Sequence, residues 1–320
     1  MTDGLAQIAD GDRRGQAKAL ADQVTNQVGR IILGKVHEIK LAFTCVLARG
    51  HLLIEDVPGV GKTLLARSLA LALGLDYRRI QFTSDMLPAD IIGVSVFEQQ
   101  TSQFRFHRGP LFAELVLADE VNRATPKSQS ALLEAMEEQQ VTADGHTYDL
   151  PNPFFVIATQ NPTTQIGTFP LPESQLDRFL MRIGLGYPPE KLERALLGGE
   201  DRRDLLNDID PVLTNVELVE LQAAAKSVHV SDAILDYAQA LVRFTRETPE
   251  TEFGLSPRGA VDVVAAARCW AMINGHAGVQ PEDVKAIFAP VAGHRLQARD
   301  DGHHAEQDIA AFVLESVPVP

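Results

Sequence analysis

The chain has little sulfur, and too few cations to balance its acids. Its 320 residues include 2 cysteines, Cys45 and Cys269, far apart and each set among apolar neighbours. No C-x-x-C pair exists, which removes a zinc knuckle and a dithiol redox centre; both thiols read as small buried hydrophobes. Lysine and arginine number 29 against 43 aspartates and glutamates, a net charge of −14. That balance offers no basic footprint for nucleic acid. No apolar run is long enough to cross a bilayer. Met1-Thr2-Asp3-Gly4-Leu5 lacks the basic and apolar regions of a secretory leader, so the expected compartment is the cytoplasm, without membrane insertion. An Asn-Lys-x-Asp guanine motif is also missing, which disfavours a GTPase. His294, His303 and His304 have no ligand constellation around them and read as solvated side chains.

What is present is an ordinary globular composition, 45% hydrophobic and 22% charged, in a length that fits one large domain or two smaller ones. Residues 1 to about 20 are polar and small, and read as a frayed end. A helical pattern follows from Ala21 to Ala48, broken at Ile31-Ile32-Leu33-Gly34. Strand-like and helix-like segments then alternate. The strand candidates are Leu52–Ile54, Arg79–Phe82, Leu115–Ala118, Phe154–Ala158 and Met181–Leu185, several of them unbroken apolar runs. Strands covered on both faces of a parallel sheet have this character, so the fold class is α/β with a five-stranded parallel sheet. Two hairpins are expected. One lies around Val94–Phe97 and Gln103–His107; the other is turned by Asp144-Gly145. After Tyr187-Pro188-Pro189 the pattern is helical: about 190–198, 214–227, 231–247, 256–274, 281–290 and 304–316. Thr214, Ser231 and Ser256 stand at N-cap positions. The expected division is an α/β core at 1–187 and an all-α unit at 188–320.

The most informative stretch is Pro58-Gly59-Val60-Gly61-Lys62-Thr63-Leu64. It follows the apolar strand Leu52-Leu53-Ile54 and precedes a helical pattern. Strand, glycine turn, Lys-Thr and helix are the context of a phosphate-binding loop. Backbone N–H groups of the loop and helix N-terminus converge on an anion. In that reading Lys62 reaches the β- and γ-phosphates of a bound nucleotide, and the Thr63 hydroxyl joins Asp119 in holding Mg²⁺. One position departs from the usual spacing: Asp56 stands where the first glycine belongs.

Leu115–Glu120 is an apolar strand ending in two acids, and the strand C-terminus of an open α/β sheet is where ligands bind. Asp119 is the metal candidate, and Glu120 the residue that polarises the attacking water. A further strand ends in Gln160-Asn161; Asn161 and Gln160 compete there for a water- or phosphate-facing amide. Phe97, Phe104 and Phe106 either pack the first hairpin or line a pore.

Leu53–Thr63, Leu117–Glu138, Ile157–Pro162 and Leu171–Phe179 together resemble the MoxR family of AAA+ ATPases, and the likeness runs from about Val24 to the last helix. The resemblance implies an AAA+ core with a hairpin inserted in its second helix, a second hairpin before sensor 1, and an all-α lid. It implies ATP bound between subunits of a ring, with a hexamer as the family habit. Arg178 resembles the arginine finger that serves a neighbour's γ-phosphate, with Arg123 and Arg182 as lesser candidates; without the family context, Arg178 reads as a surface pair with Asp177 or Glu173. Arg258 resembles sensor 2. Its place in the first turn of a helix opposes the helix dipole and suits contact with a phosphate. Ile31–Gly34 matches the adenine-binding segment. The implied partners are a protein client and a von Willebrand A domain protein, and the implied work is remodelling, maturation or cofactor insertion. The competing reading is a nucleic-acid motor, supported locally only by Arg105, His107 and Arg108.

Overall fold

The computed structural model describes residues 2–161, 169–198, 202, 204–299 and 306–319. His303, His304 and Pro162 lie outside the described residues. Helix α1 (Thr2–Gly29) opens the chain, where a frayed end was the expectation. Ala17, Ala21, Val24 and Val28 supply the reason for its lower half. They recur at helical spacing and are all buried, so one apolar stripe anchors the helix, which then extends by its own ladder.

A break at Ile31–Gly34 leads to α2 (Val36–Leu47), then β1 (Leu52–Glu55), α3 (Lys62–Ala72) and β2 (Tyr77–Gln81). A short helix α4 (Pro88–Ile92) introduces the hairpin of β3 (Gly93–Glu98) and β4 (Gln103–Arg108). Next come β5 (Leu115–Asp119), α5 (Pro126–Glu138), the hairpin of β6 (Gln140–Ala143) and β7 (His146–Asp149), and β8 (Phe155–Gln160). The single turn α6 (Glu173–Leu176) precedes β9 (Met181–Ile183).

Five strands form one parallel sheet in the order β2-β5-β8-β1-β9. β5 and β8 are buried throughout, which is why their sequences do not alternate. Successive side chains feed opposite faces. Leu52, Ile54, Leu115 and Leu117 enter one core; Leu53, Val116 and Ala118 enter the other. The chain leaves β1, an interior strand, for the edge strand β2, returns through β5 and β8, and then crosses β1 to reach β9. This reversal opens a crevice beyond the C-terminal strand ends, beside β1.

The helical part contains α7 (Glu190–Leu197), α8 (Asn215–Lys226), α9 (Asp232–Glu247), α10 (Pro257–Asn274), α11 (Pro281–Ala292) and α12 (Glu306–Ser316). Thr214, Ser231 and Ser256 cap α8, α9 and α10 by accepting from Glu217 N, Ile234 N and Gly259 N. α11 continues through Pro290 to Ala292. One small addition is a ribbon of β10 (Thr251–Phe253) with β11 (Gln297–Ala298), too short to leave a periodic trace in sequence. α1 and α2 pack on α10, so a single apolar cluster runs from one sheet face into the helical part.

Both hairpins form at the expected places. Phe106 stacks on Tyr148 at 4.3 Å and meets Phe112 edge-on, tying the first hairpin to the second. Phe97 and Phe104 pack against each other at 5.3 Å but remain half or more exposed.

Candidate nucleotide site

β1 ends at Glu55, and no regular structure resumes until Lys62. Gly59 and Gly61 hold φ of +90° and +102°, a conformation open to glycine without strain. Gly61 is the cap of α3, so the unpaired first-turn N–H groups of that helix open onto the loop. Lys62 is buried, and its ammonium donates to Asp56 O at 2.5 Å, Asn161 Oδ1 at 3.1 Å and Gln160 O at 3.4 Å. Burial pulls its pKa below the ordinary lysine value; the carboxylates of Asp56, Asp119, Glu120 and Glu55 oppose that pull.

Asp119 and Glu120 stand at the end of β5. Asp119 Oδ2 accepts from Arg79 Nε and Nη2 at 3.0 and 2.6 Å, and Oδ1 from Thr159 Oγ1 at 2.5 Å. Glu120 adopts the left-handed conformation, φ +58°, at a cost of about 1–2 kcal/mol for a residue with a Cβ. Its N–H donates to Thr159 Oγ1 at 2.9 Å, which helps hold this turn. The carboxylate then meets Gln81 Nε2 at 2.9 Å, Arg123 Nε at 3.1 Å and Asn161 Nδ2 at 3.3 Å. Asn161 therefore supplies the side-chain amide between Lys62 and Glu120, while Gln160 contributes its carbonyl.

Asp56 is engaged away from the anion cradle. Oδ1 accepts from Val57 N at 2.7 Å, and Oδ2 from Leu185 N and Gly186 N at 2.7 and 2.6 Å. Around the loop, acids and donors match: Glu55 with Arg182, Asp119 with Arg79, Glu120 with Arg123, Asp56 with backbone amides. Ile32 Cδ1 would lie 3.6 Å from a Cβ on Gly61, which sets the Ile31–Gly34 segment beside the loop. Gly34 packs against Pro189 and Leu192, where a Cβ would come within 2.8 Å of Leu192 Cδ1.

Arg178 and Arg258 are brought together, but not at this loop. Arg178 pairs with Glu137 Oε2 at 3.0 Å and Arg258 with Glu137 Oε1 at 3.2 Å. Glu137, in the last turn of α5, follows Met136, whose carbonyl meets His51 just before β1. Both arginines thus lie toward the N-terminal end of β1, opposite the end from which the loop leaves. Of the lesser candidates, Arg123 sits on Glu120 in the site itself. Arg182 reaches Glu55 and Gly293 O and is nearly buried, so neither joins the Arg178 surface.

Several contributors escape sequence reading. Arg295 is buried; it donates to Asp177 Oδ1 at 2.8 Å, Asp262 Oδ2 at 2.6 Å and Phe179 O at 2.9 Å, fixing the Asp177–Leu180 segment on α10 and α11. His294, expected in solvent, is buried against Phe179 O at 2.9 Å. The reason is that α11 continues past Pro290 and carries the next turn inward. Among the described residues no cluster of three or more His, Cys, Asp or Glu could hold a metal. Thr159, Arg79 and Gln81 follow from register. Gln81 pairs with Asp119 and Ala118 with Ala158, so Thr159 falls beside Asp119. The mostly polar strand Tyr77-Arg78-Arg79-Ile80-Gln81, at the sheet edge, was the available signal.

An open parallel sheet, a glycine loop capping the helix after β1 and two acids at the end of β5 have the layout of the AAA+ class of nucleoside-triphosphatases. Residues 51–181 match the family described as "ATPase family associated with various cellular activities (AAA)", and residues 243–312 match an AAA lid domain. The chain is 41% identical to protein YeaC of Bacillus subtilis, over 94% of this chain and 95% of that one. It is 37% identical to Chaperone MoxR1 of Mycobacterium tuberculosis, over 96% and 85%. A crystal structure of a candidate ATPase from Cytophaga hutchinsonii superposes with a TM-score of 0.88 at 33% identity, over 99% of each chain. The chain belongs to the MoxR family of AAA+ ATPases.

Proposed function

We propose that this chain binds ATP with Mg²⁺ at the Pro58–Leu64 loop, hydrolyses it, and spends the free energy on remodelling or maturing a partner protein. The observation that carries the reading is the chain of contacts from Lys62 through Asn161 to Glu120. A phosphate-gripping cation and a water-polarising carboxylate are held on either side of one amide.

Each residue has a distinct task. Lys62 and the α3 amides neutralise the β- and γ-phosphates. Glu120 accepts a hydrogen bond from the attacking water and turns it toward phosphorus, while Asn161 fixes that carboxylate and the water position. Thr63 and Asp119 present hard oxygen donors suited to Mg²⁺, which favours one or two protein ligands and completes its shell with phosphate and water. When bound, the ion neutralises charge on the β- and γ-oxygens.

The separation of Arg178 and Arg258 from Lys62 supports a site completed by a second copy, in a ring for which six subunits is the family habit. In this reading Arg178 is the finger, Arg258 is sensor 2, and Glu137 is their counterion when no phosphate is present. The Ile31–Gly34 segment lies against the base. The core spans residues 1–187 and the lid 188–320, working in the cytoplasm where ATP is abundant. The relative named Chaperone MoxR1 supports a protein client; a von Willebrand A domain protein is the partner class proposed. A nucleic-acid role has little support. Arg105 pairs with Glu98 at 3.4 Å and Arg108 lies over the Phe112 ring.

The test is steady-state hydrolysis of Mg-ATP across a protein concentration series. Specific activity should rise as subunits assemble. Absence of turnover at every concentration would overturn the reading.

A further inference from the structure

Two consecutive acids leave the end of β1 and reach toward the helical part. Glu55 Oε2 binds Arg182 Nη1 at 3.1 Å, and Arg182 Nη2 donates to Gly293 O, the cap of α11, at 3.3 Å. Asp56 Oδ2 accepts two amides, Leu185 N and Gly186 N, where the chain passes from β9 toward α7. A carboxylate oxygen shared by two N–H groups is a strong, charge-assisted anchor. Gly186 has φ +60°, and Lys35 Nζ holds the next carbonyl, Tyr187 O, at 3.0 Å. The carbonyl of Asp56, meanwhile, accepts the 2.5 Å bond from Lys62. One residue therefore touches the loop lysine with its backbone and the entrance to the helical part with its side chain.

We propose that Asp56 is a positioning residue that couples nucleotide at the loop to the placement of the C-terminal helices. The coupling rests on the ATP-binding reading above. Lys62 has three protein acceptors, and an ammonium has three donors, so it must release at least one acceptor to reach a phosphate. Releasing Asp56 O frees the 56–57 peptide to turn. The Asp56 carboxylate is fixed to Val57 N on that same peptide, so the turn pulls on Leu185 and Gly186. A glycine at position 56, as in the usual loop, has no side chain with which to transmit this movement.

The experiment measures amide hydrogen exchange at Leu185 and Gly186, with and without a non-hydrolysable ATP analogue plus Mg²⁺. Analogue binding is read separately by calorimetry. In the wild-type chain the analogue should change exchange at both amides by roughly fivefold or more, the lower end of ordinary site-to-site coupling. Asp56→Asn keeps the shape but loses the charge, and must turn its NH₂ either toward Val57 N or toward the two amides of Leu185 and Gly186. Asp56→Gly restores the usual loop residue. Both should still bind the analogue, exchange fast at 185 and 186, and lose the nucleotide-dependent difference; kcat should fall while KM for ATP stays near wild type. A purely structural role would speed exchange in both states and leave the difference intact. The proposal is overturned if either variant keeps the difference, or if wild-type protein binds the analogue with no change at these amides. Failure of wild-type protein to bind in calorimetry would sink the ATP-binding reading and the coupling with it.

Discussion

Arg178 and Arg258, from segments far apart in the chain, close on the two oxygens of a single carboxylate, Glu137. Arg295 braces this arrangement through its contacts. It is buried, pins Asp177 beside Arg178, and binds Asp262 one turn along α10 from Arg258. The two cations share one counterion at the end of β1 opposite the glycine loop.

Cross-complementation between subunits follows. Lys62→Ala and Arg178→Ala should each lose hydrolysis by on the order of 10³-fold, the scale of an arginine finger and its phosphate lysine. Mixed together, they should regain activity, because some interfaces then combine an intact Lys62 with an intact Arg178. A mixture no more active than the sum of its parts would place both residues in one subunit's site.

Asn161→Ala removes the amide that separates Lys62 from Glu120. Turnover should fall by roughly 10²-fold, the value of one oriented hydrogen-bonding group in a reacting site. The apparent affinity for ATP should change little. A steady-state titration that instead moves only KM would make Asn161 a binding contact without a part in the chemistry.

Acid should loosen the fold through His51. The ring is buried; Nδ1 accepts from Val156 N at 3.0 Å, so Nε2 carries the proton toward Met136 O at 3.1 Å. Burial lowers its pKa to about 4, with Arg258 pushing the same way. Between pH 6.5 and about 4 the unfolded chain binds this proton and the folded chain does not. Stability is therefore full above pH 6.5 and declines as pH falls toward 4, by on the order of 3 kcal/mol. His294, also lowered by burial, adds in the same direction. Melting curves across that range should be less steep in pH for His51→Gln, whose amide offers one acceptor and one donor without titrating. An unchanged slope would assign the acid sensitivity elsewhere.

The sheet was readable because β5 and β8 are unbroken apolar runs and the loop is bounded by a strand and a helix. Lys62 was legible from the loop motif and Asp119 and Glu120 from the end of an apolar strand, whereas at the tip of β8 the sequence left Asn161 and Gln160 as competitors. Thr159 and Arg79 were not legible, since they depend on which strands are neighbours, and the order β2-β5-β8-β1-β9 is a tertiary property. Asp56 looked like a flaw in a motif because its partners, Leu185 and Gly186, come from the far end of the core. Arg295 and His294 were hidden for a similar reason: their burial depends on α11 running through Pro290 rather than stopping before it.

The most direct test of hydrolysis at this site is a single-turnover measurement on Glu120→Gln with preloaded Mg-ATP. The substitution keeps the shape beside Gln81 and Asn161 and removes the negative charge that draws a proton from water. The expected result is ATP bound as tightly as by wild-type protein and cleaved about 10²–10⁴-fold more slowly. Cleavage at the wild-type rate would contradict the role of Glu120 and the mechanism built on it.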